Sequence, residues 1–238
     1  MTISISEVPI WVSILFVLIF STVPVFLISN TVKKVLSVDY KSVSIKTSKN
    51  IIIFYWSYFI LISSVSLTGF FKENTLPPRI ILLAVIPLLL FYLFYVQNRY
   101  WFQQVFKNIS LAQLIFIHVF RFVGVFFFLN YIYGALPKTF AYIGGTGDVL
   151  TAILVFPVIW SLKNQKKHAI FLVWIWNFIG LADIISVLIT AIIISKEAIA
   201  NNEAGVAQFG TFPFSWIPAF APATIIFLHI LIFKKLKK

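Results

Sequence analysis

Apolar residues in this chain are grouped into seven long runs, and polar residues are concentrated in the shorter segments between them. Most of the runs reach the roughly 20 residues that a helix needs to cross the hydrocarbon core of a bilayer. The runs, numbered 1 to 7, cover about residues 8–29, 51–71, 79–97, 110–133, 147–162, 169–195 and 215–233. A helix satisfies its own backbone hydrogen bonds in lipid, so the pattern predicts one all-α domain, an integral membrane bundle of seven transmembrane helices.

The composition agrees with a membrane protein and excludes several kinds of site. Hydrophobic residues make up 61% of the chain and charged residues 11%, whereas charged residues are about 25% of a typical soluble domain. The net charge of +12 comes mainly from lysines between the runs. This favours contact with anionic lipid headgroups at the inner face and predicts no nucleic-acid partner. The chain has no cysteine, which excludes disulfides, thiolate metal sites, iron–sulfur clusters and covalently attached haem.

The distribution of basic residues predicts the orientation. Fourteen of the 19 Lys and Arg residues fall in the segments 30–50, 98–109, 163–168 and 234–238. Loops rich in Lys and Arg stay in the cytoplasm, so we expect a multi-pass protein of the cell inner membrane with its N-terminus out and its C-terminus in. The residues before run 1 include Glu7 and no basic residue. This indicates an uncleaved span and not a secretory signal, which begins with basic residues. Asp39 then lies on the inner side.

Five ionisable side chains lie inside the runs and form a ladder across the predicted membrane. In order from the outer face inward, at about 1.5 Å of rise per residue, they are Asp148, Asp183, Arg121, His118 and His229. An ionised group at such a depth is costly and therefore needs a partner. Together with Asn177 in run 6, the ladder is a candidate binding site or proton relay among runs 4, 5, 6 and 7.

Two interpretations of the ladder are open from the sequence. In the structural one, Arg121 pairs with Asp183, Asp148 caps the helix of run 5, and both histidines are hydrogen-bonded within the bundle. In the functional one, the ladder lines a cavity for protons, ions or a small polar substrate. Arg121 then holds an anionic group or Asp183, the two aspartates exchange protons, and the histidines pass them toward the cytoplasm. This order of groups favours a transporter or a proton- or ion-coupled membrane protein.

Glycines and prolines mark two places where the backbone is expected to depart from a regular helix. The segment 144–148, Gly-Gly-Thr-Gly-Asp, predicts a tight turn that opens run 5, with Thr146 or Asp148 as the helix cap. An anion held by free N–H groups there is the alternative. Pro222 cannot donate an N–H to the carbonyl of Pro218, so the pair predicts a helix break in run 7. Broken spans often mark the binding sites of transporters.

Cofactor chemistry is a second interpretation of the histidines. His118 and His229 lie at comparable depth on different runs, which suits a haem, or a metal with Asp183 as third ligand. Either would make the chain a membrane-embedded enzyme or redox subunit. The sequence itself requires neither metal nor cofactor, and it lacks a Gly-x-Ser-x-Gly nucleophile motif, so no catalytic residue is assigned. A non-catalytic membrane scaffold, with Arg121 and Asp183 paired and no cavity beside them, is the third interpretation.

Short motifs in the second half of the chain resemble those of one group of proteins. They are His118-x-x-Arg121, Leu136-Pro137, Phe140-Ala141, Gly145-x-Gly147-Asp148, Trp176-Asn177-x-x-Gly180-x-x-Asp183 and Pro218…Pro222…His229. The chain is similar in these motifs, from run 4 onward, to an uncharacterised group of small bacterial polytopic inner-membrane proteins. The resemblance implies a bacterial inner-membrane protein, and it implies no activity, substrate or cofactor.

Overall fold

The computed structural model describes residues 5–37 and 41–237, except for the side chain of Lys41. Asp39 and Lys238, which the sequence assigns to the inner side, lie outside the described residues. The described part of the chain is all-helical, as predicted. Six of its helices are long and apolar enough to cross a membrane, or seven if a bent pair of helices is counted as one span.

The helices follow one another with short connections. They are α1 (Ile10–Leu36), α2 (Lys41–Leu67), α3 (Ile81–Val96), α4 (Tyr100–Asn108), α5 (Leu111–Ile132), α6 (Lys138–Lys163), α7 (Ala169–Asn201) and α8 (Trp216–Leu236). A short 3₁₀ helix at Ala207–Gly210 precedes α8. Two of the long helices are irregular inside. Helix α3 has π-helical segments at Ile81–Val85 and Phe91–Val96, and α5 has a 3₁₀ segment at His118–Gly124.

Helix α8 lies at the centre of the bundle and contacts α2, α3, α5 and α7. Of its most apolar stretch, 78% is buried, against 22% for α2 and for α7. A helix that is apolar on all sides belongs in an interior, and Thr224 and His229 are the only polar residues of α8 before Lys234. The outer helices instead expose large apolar side chains such as Ile10 and Phe94, which is the surface that a bundle presents to lipid.

Helix α3 connects the two ends of the bundle. At one end, near the start of the α2–α3 loop, Ser66 Oγ of α2 donates to the carbonyl of Gly210 (2.6 Å) at the end of the 3₁₀ helix before α8. At the other end, Lys234 Nζ of α8 donates to Gln97 Oε1 (2.5 Å) just after α3. The chain then bends by 87° into α4. We call the end that contains α4 and the C-terminal ends of α1, α6 and α8 the basic end, because it carries most of the described lysines.

Helix α6 begins at Lys138 and not near residue 147. The glycine motif therefore lies inside α6, and the predicted turn with Thr146 or Asp148 as a cap is wrong. Pro137, which fixes its own φ and needs no N–H partner, stands just before the first helical residue. Glycine stands at these helical positions because a neighbouring helix packs closely against them. A Cβ at Gly144, for example, would lie 2.5 Å from the Phe127 ring.

Helix α8 is continuous through Pro222, so the predicted helix break at Pro218 and Pro222 is also wrong. Pro222 removes one backbone hydrogen bond from α8, yet the dense packing around this central helix keeps its backbone helical. The Tyr58 hydroxyl of α2 donates to the carbonyl of Ala219 one turn earlier (3.0 Å). The segment 30–50 likewise belongs mostly to α1 and α2 and not to a loop.

Candidate functional site

The 3₁₀ segment of α5 places His118 and Arg121 on one side of the helix. A 3₁₀ helix has three residues per turn, so side chains at positions i and i+3 project in the same direction. Both side chains are fully buried and point toward α6, α7 and α8, where their contacts lie. A 3₁₀ stretch in the middle of a helix often marks a hinge or a strained site.

Arg121 is held by groups from three neighbouring helices. Its Nε donates to Asp148 Oδ1 of α6 (2.7 Å), and its Nη2 forms an ion pair with Asp183 of α7. Its Nη1 donates to the carbonyl of Gly180 (3.1 Å) and lies 3.3 Å from His229 Nε2 of α8. The carboxylates are nearly as inaccessible as the guanidinium, with 4% of the Asp148 side chain and 11% of the Asp183 side chain exposed.

Three glycines make room for the three side chains that contact Arg121. A Cβ at Gly124 would lie 2.6 Å from Asp148 Cβ, and one at Gly180 would lie 2.6 Å from His229 Cε1. A Cβ at Gly147 would overlap Asp183 Oδ1. Each partner therefore rests against a bare stretch of a neighbouring helix, which small residues permit in closely packed helices. The sequence motifs include Gly147 and Gly180, but sequence reasoning missed the role of Gly124.

The two histidines are in contact, and only one of them is hydrogen-bonded. His229 Nδ1 lies 2.7 Å from Asn177 Oδ1, and Asn177 Nδ2 donates to the carbonyl of His229 (3.2 Å). The oxygen of Asn177 can only accept, so it assigns the proton to Nδ1 and leaves Nε2 as an acceptor facing Arg121. The His118 ring lies 4.3 Å from that of His229, centroid to centroid, and edge-on to Trp176. Neither nitrogen of His118 has a hydrogen-bond partner among the described residues.

The structure thus brings the five residues of the predicted ladder together in one group. We call this group, which consists of Arg121, Asp148, Asp183, His118 and His229, the Arg121 cluster. Asp148 was expected near the outer edge, away from Arg121, because run 5 was expected to begin near residue 147. Since α6 begins at Lys138, Asp148 lies well inside the helix and contacts Arg121. The expected pairing of Arg121 with Asp183 is present, whereas the expected hydrogen bonding of both histidines holds for His229 and not for His118.

A narrow cleft of about 60 Å³ leads to Asp148 from the end opposite the basic end. Its mouth is at the α2–α3 loop, where Glu73 is exposed and paired with Arg79. Its walls are mostly apolar and include both Pro218 and Pro222 of α8. At roughly 10–15 Å³ for each water, the cleft has room for a few water molecules. One carboxylate of the cluster is therefore approached from one end of the bundle.

Metal binding has no support from the grouping of side chains. Across residues 5–37 and 41–237, no three His, Asp or Glu side chains are arranged so that they could hold a metal ion. The two histidine rings are in direct contact with each other, whereas axial ligands of a haem lie on opposite faces of the porphyrin. As placed, the histidines leave no gap for such a group between them.

One family model matches the chain, over residues 77–237, and its description is "Domain of unknown function (DUF8737)". The match covers more than half of the chain. The chain belongs to the DUF8737 family. The DUF8737 region begins before α3, earlier than the resemblance noted from run 4 onward, and it includes every residue of the Arg121 cluster. Helices α1 and α2 lie outside it. No curated protein and no solved structure matches the chain.

Proposed function

We propose that this DUF8737 chain is a multi-pass protein of a bacterial inner membrane, with its N-terminus outside and its C-terminus in the cytoplasm. The long apolar helices and the apolar side chains on the outside of the bundle support membrane insertion. The concentration of lysines at the basic end supports the orientation. In this orientation the cleft opens to the outside and the histidines lie on the cytoplasmic side of Arg121.

We further propose that the chain is a transporter or a proton- or ion-coupled membrane protein whose centre is the Arg121 cluster. The observation that carries this proposal is a charge count: one buried guanidinium faces two carboxylates, the buried Asp148 and the partly buried Asp183. With both carboxylates ionised, the cluster carries one negative charge in excess. An uncompensated charge in such an interior costs several kcal/mol, so uptake of one proton or one small cation neutralises the site.

The neighbouring groups support a path through this centre. In the proposed orientation, the cleft that Asp148 lines opens to the outside, and the guanidinium links Asp148 to Asp183 and to His229. Asn177 fixes the His229 ring, where the hydrogen-bonded part of the path ends. The His118 ring lies beside His229, but its nitrogens have no partner in the described part of the chain. When a proton neutralises Asp183, the ion pair that ties α7 to α5 is lost. Protonation is in this way coupled to the packing of α7.

The test is flux through the purified protein reconstituted into vesicles, driven by an imposed membrane potential and followed with an internal pH-sensitive dye. Wild-type protein should conduct protons, and Asp183→Asn and Asp148→Asn should abolish the signal because each removes the exchangeable site. Glu197→Gln is the matched control, since Glu197 is an exposed carboxylate at the far end of α7. A parallel arm with a sodium gradient distinguishes a cation from a proton.

Two results would contradict the proposal. One is a wild-type signal equal to that of protein-free vesicles in both arms, and the other is a signal from both Asp→Asn variants equal to that of wild type. The scaffold interpretation predicts the first of these results. The cleft beside Asp148 favours coupling over a scaffold, because a purely structural ion pair does not need a cleft.

A further inference from the structure

A second groove, of about 600 Å³, lies at the basic end of the bundle and is separate from the Arg121 cluster. It runs between the C-terminal part of α1, the first turns of α5 and the end of α6. Its lining divides into two levels, a polar mouth at the basic end and an apolar floor deeper in the bundle. This division is the feature that an amphiphilic ligand requires.

The mouth of the groove is positively charged. Lys34 of α1 and Lys163 of α6 line it from opposite sides, and both side chains are exposed. No carboxylate is among the residues that line the groove. Within the described ranges, neither ammonium group forms an ion pair. Asn30 and Thr31 lie at the same level, whereas Ser110 and Gln113 are already engaged with each other in the capping box of α5.

The floor of the groove is apolar and accessible. Val23, Phe26 and Leu27 of α1 face Phe116 of α5 and Ile159 of α6 across it. Phe26 is 43% exposed and Phe116 is 42% exposed, so these rings are not covered by the rest of the bundle. An acyl chain placed along the floor would cover them without displacing any side chain of the core.

We propose that this groove is a specific binding site for an anionic phospholipid. Its phosphate lies between Lys34 and Lys163, and one acyl chain lies along Phe26 and Phe116. Charge complementarity selects this occupant: basic pockets between helices at the cytoplasmic side favour anionic headgroups, and the apolar floor below selects a lipid over a free phosphate. The site shares no residue with the Arg121 cluster, so the proposal stands or falls independently of transport.

The test is lipid retention by the purified full-length protein, measured by native mass spectrometry during titration with phosphatidylglycerol or with phosphatidylcholine of the same chain length. Wild type should prefer phosphatidylglycerol. A juxtamembrane cation contributes about fivefold to the binding of anionic lipid, so K34A/K163A should weaken this preference by about 30-fold. The matched control K33A/K167A removes the same charge from exposed lysines at the same end that do not line the groove, and it should change binding less than twofold.

Two further arms identify the part of the lipid that is bound. Soluble glycerol phosphate should compete poorly, because it lacks the acyl chain, and Phe116→Ala should weaken retention without any change in charge. Equal losses in K34A/K163A and K33A/K167A would overturn the proposal, since the effect would then be one of general charge. Full competition by glycerol phosphate would also overturn it in favour of a phosphate site. Circular dichroism verifies that each variant is folded.

Discussion

Removal of Arg121 is expected to damage the protein far more than removal of either aspartate, because the variants leave different charges in the cluster. In Asp183→Asn or Asp148→Asn, one guanidinium faces one carboxylate and the cluster is neutral. The new amide can still accept a hydrogen bond from Arg121. In Arg121→Gln, two carboxylates face each other with no cation between them, and the carbonyl of Gly180 loses its donor.

The size of the effect follows from burial. Arg121 is fully buried, and only 4% of Asp148 and 11% of Asp183 are exposed, so water replaces little of what is lost. Leaving a buried charge without its partner costs about 3–5 kcal/mol. At about 2–4 °C per kcal/mol for a chain of this size, Arg121→Gln should lower the unfolding temperature by about 6–20 °C. Each Asp→Asn variant should stay within about 3 °C of wild type.

The assay is thermal unfolding in detergent, followed by intrinsic fluorescence of the seven tryptophans. All variants are compared at one scan rate, because irreversible unfolding makes the midpoint depend on that rate. The triple variant R121Q/D148N/D183N removes all three charges and should recover at least half of the loss caused by Arg121→Gln. If Asp183→Asn is as damaging as Arg121→Gln, or if the triple variant shows no recovery, charge balance does not hold the cluster together.

Two other predictions concern the surroundings of the cluster. Gly147→Ala should destabilise the protein and abolish flux, because the new Cβ would overlap Asp183 Oδ1. In an Asp183→Ala background, the same change should have almost no effect on the unfolding temperature. An undiminished effect in that background would show that the clash is with another residue. Purified protein should show no haem absorption band and no equimolar metal by elemental analysis, since His118 and His229 contact each other. A bound haem or metal would instead support the redox interpretation.

The pattern of apolar and charged residues predicts the all-helical class and the residues that form the cluster. It does not predict how close these residues lie to one another. Long apolar runs are local features, so α3, α5 and α8 begin and end within three residues of the predicted runs. Helix α1 instead ends seven residues after run 1, α7 ends six residues after run 6, and α2 begins ten residues before run 2. The start of α6 was missed because Gly144, Gly145 and Gly147 normally indicate a turn. Their reason is tertiary: Gly144 packs against Phe127 of α5, and Gly147 packs against Asp183 of α7.

The missed start of α6 had a direct consequence for the site. The predicted ladder places Asp148 at the membrane edge, away from Arg121. In the structure Asp148 lies well inside α6 and accepts a hydrogen bond from Arg121, so the group is compact. The 3₁₀ segment that aligns His118 with Arg121 has no signature in the sequence. The same is true of the unbroken path of α8 through Pro222. In each case contacts between helices determine the backbone conformation, and a local sequence pattern carries no information about these contacts.

Burial of the cluster depends on helices that lie outside the DUF8737 region. Phe16 of α1 packs against Phe126 of α5 (5.1 Å between ring centroids) and against Phe214 before α8 (4.8 Å). Phe59 of α2 stacks on Trp216 of α8 (4.8 Å). Helices α1 and α2 therefore cover one side of α5 and α8, which carry Arg121 and His229. Without them, one side of α5 and of α8 would lose the packing that holds Arg121 and His229 in place, and the proposed uptake of a proton or cation depends on that placement.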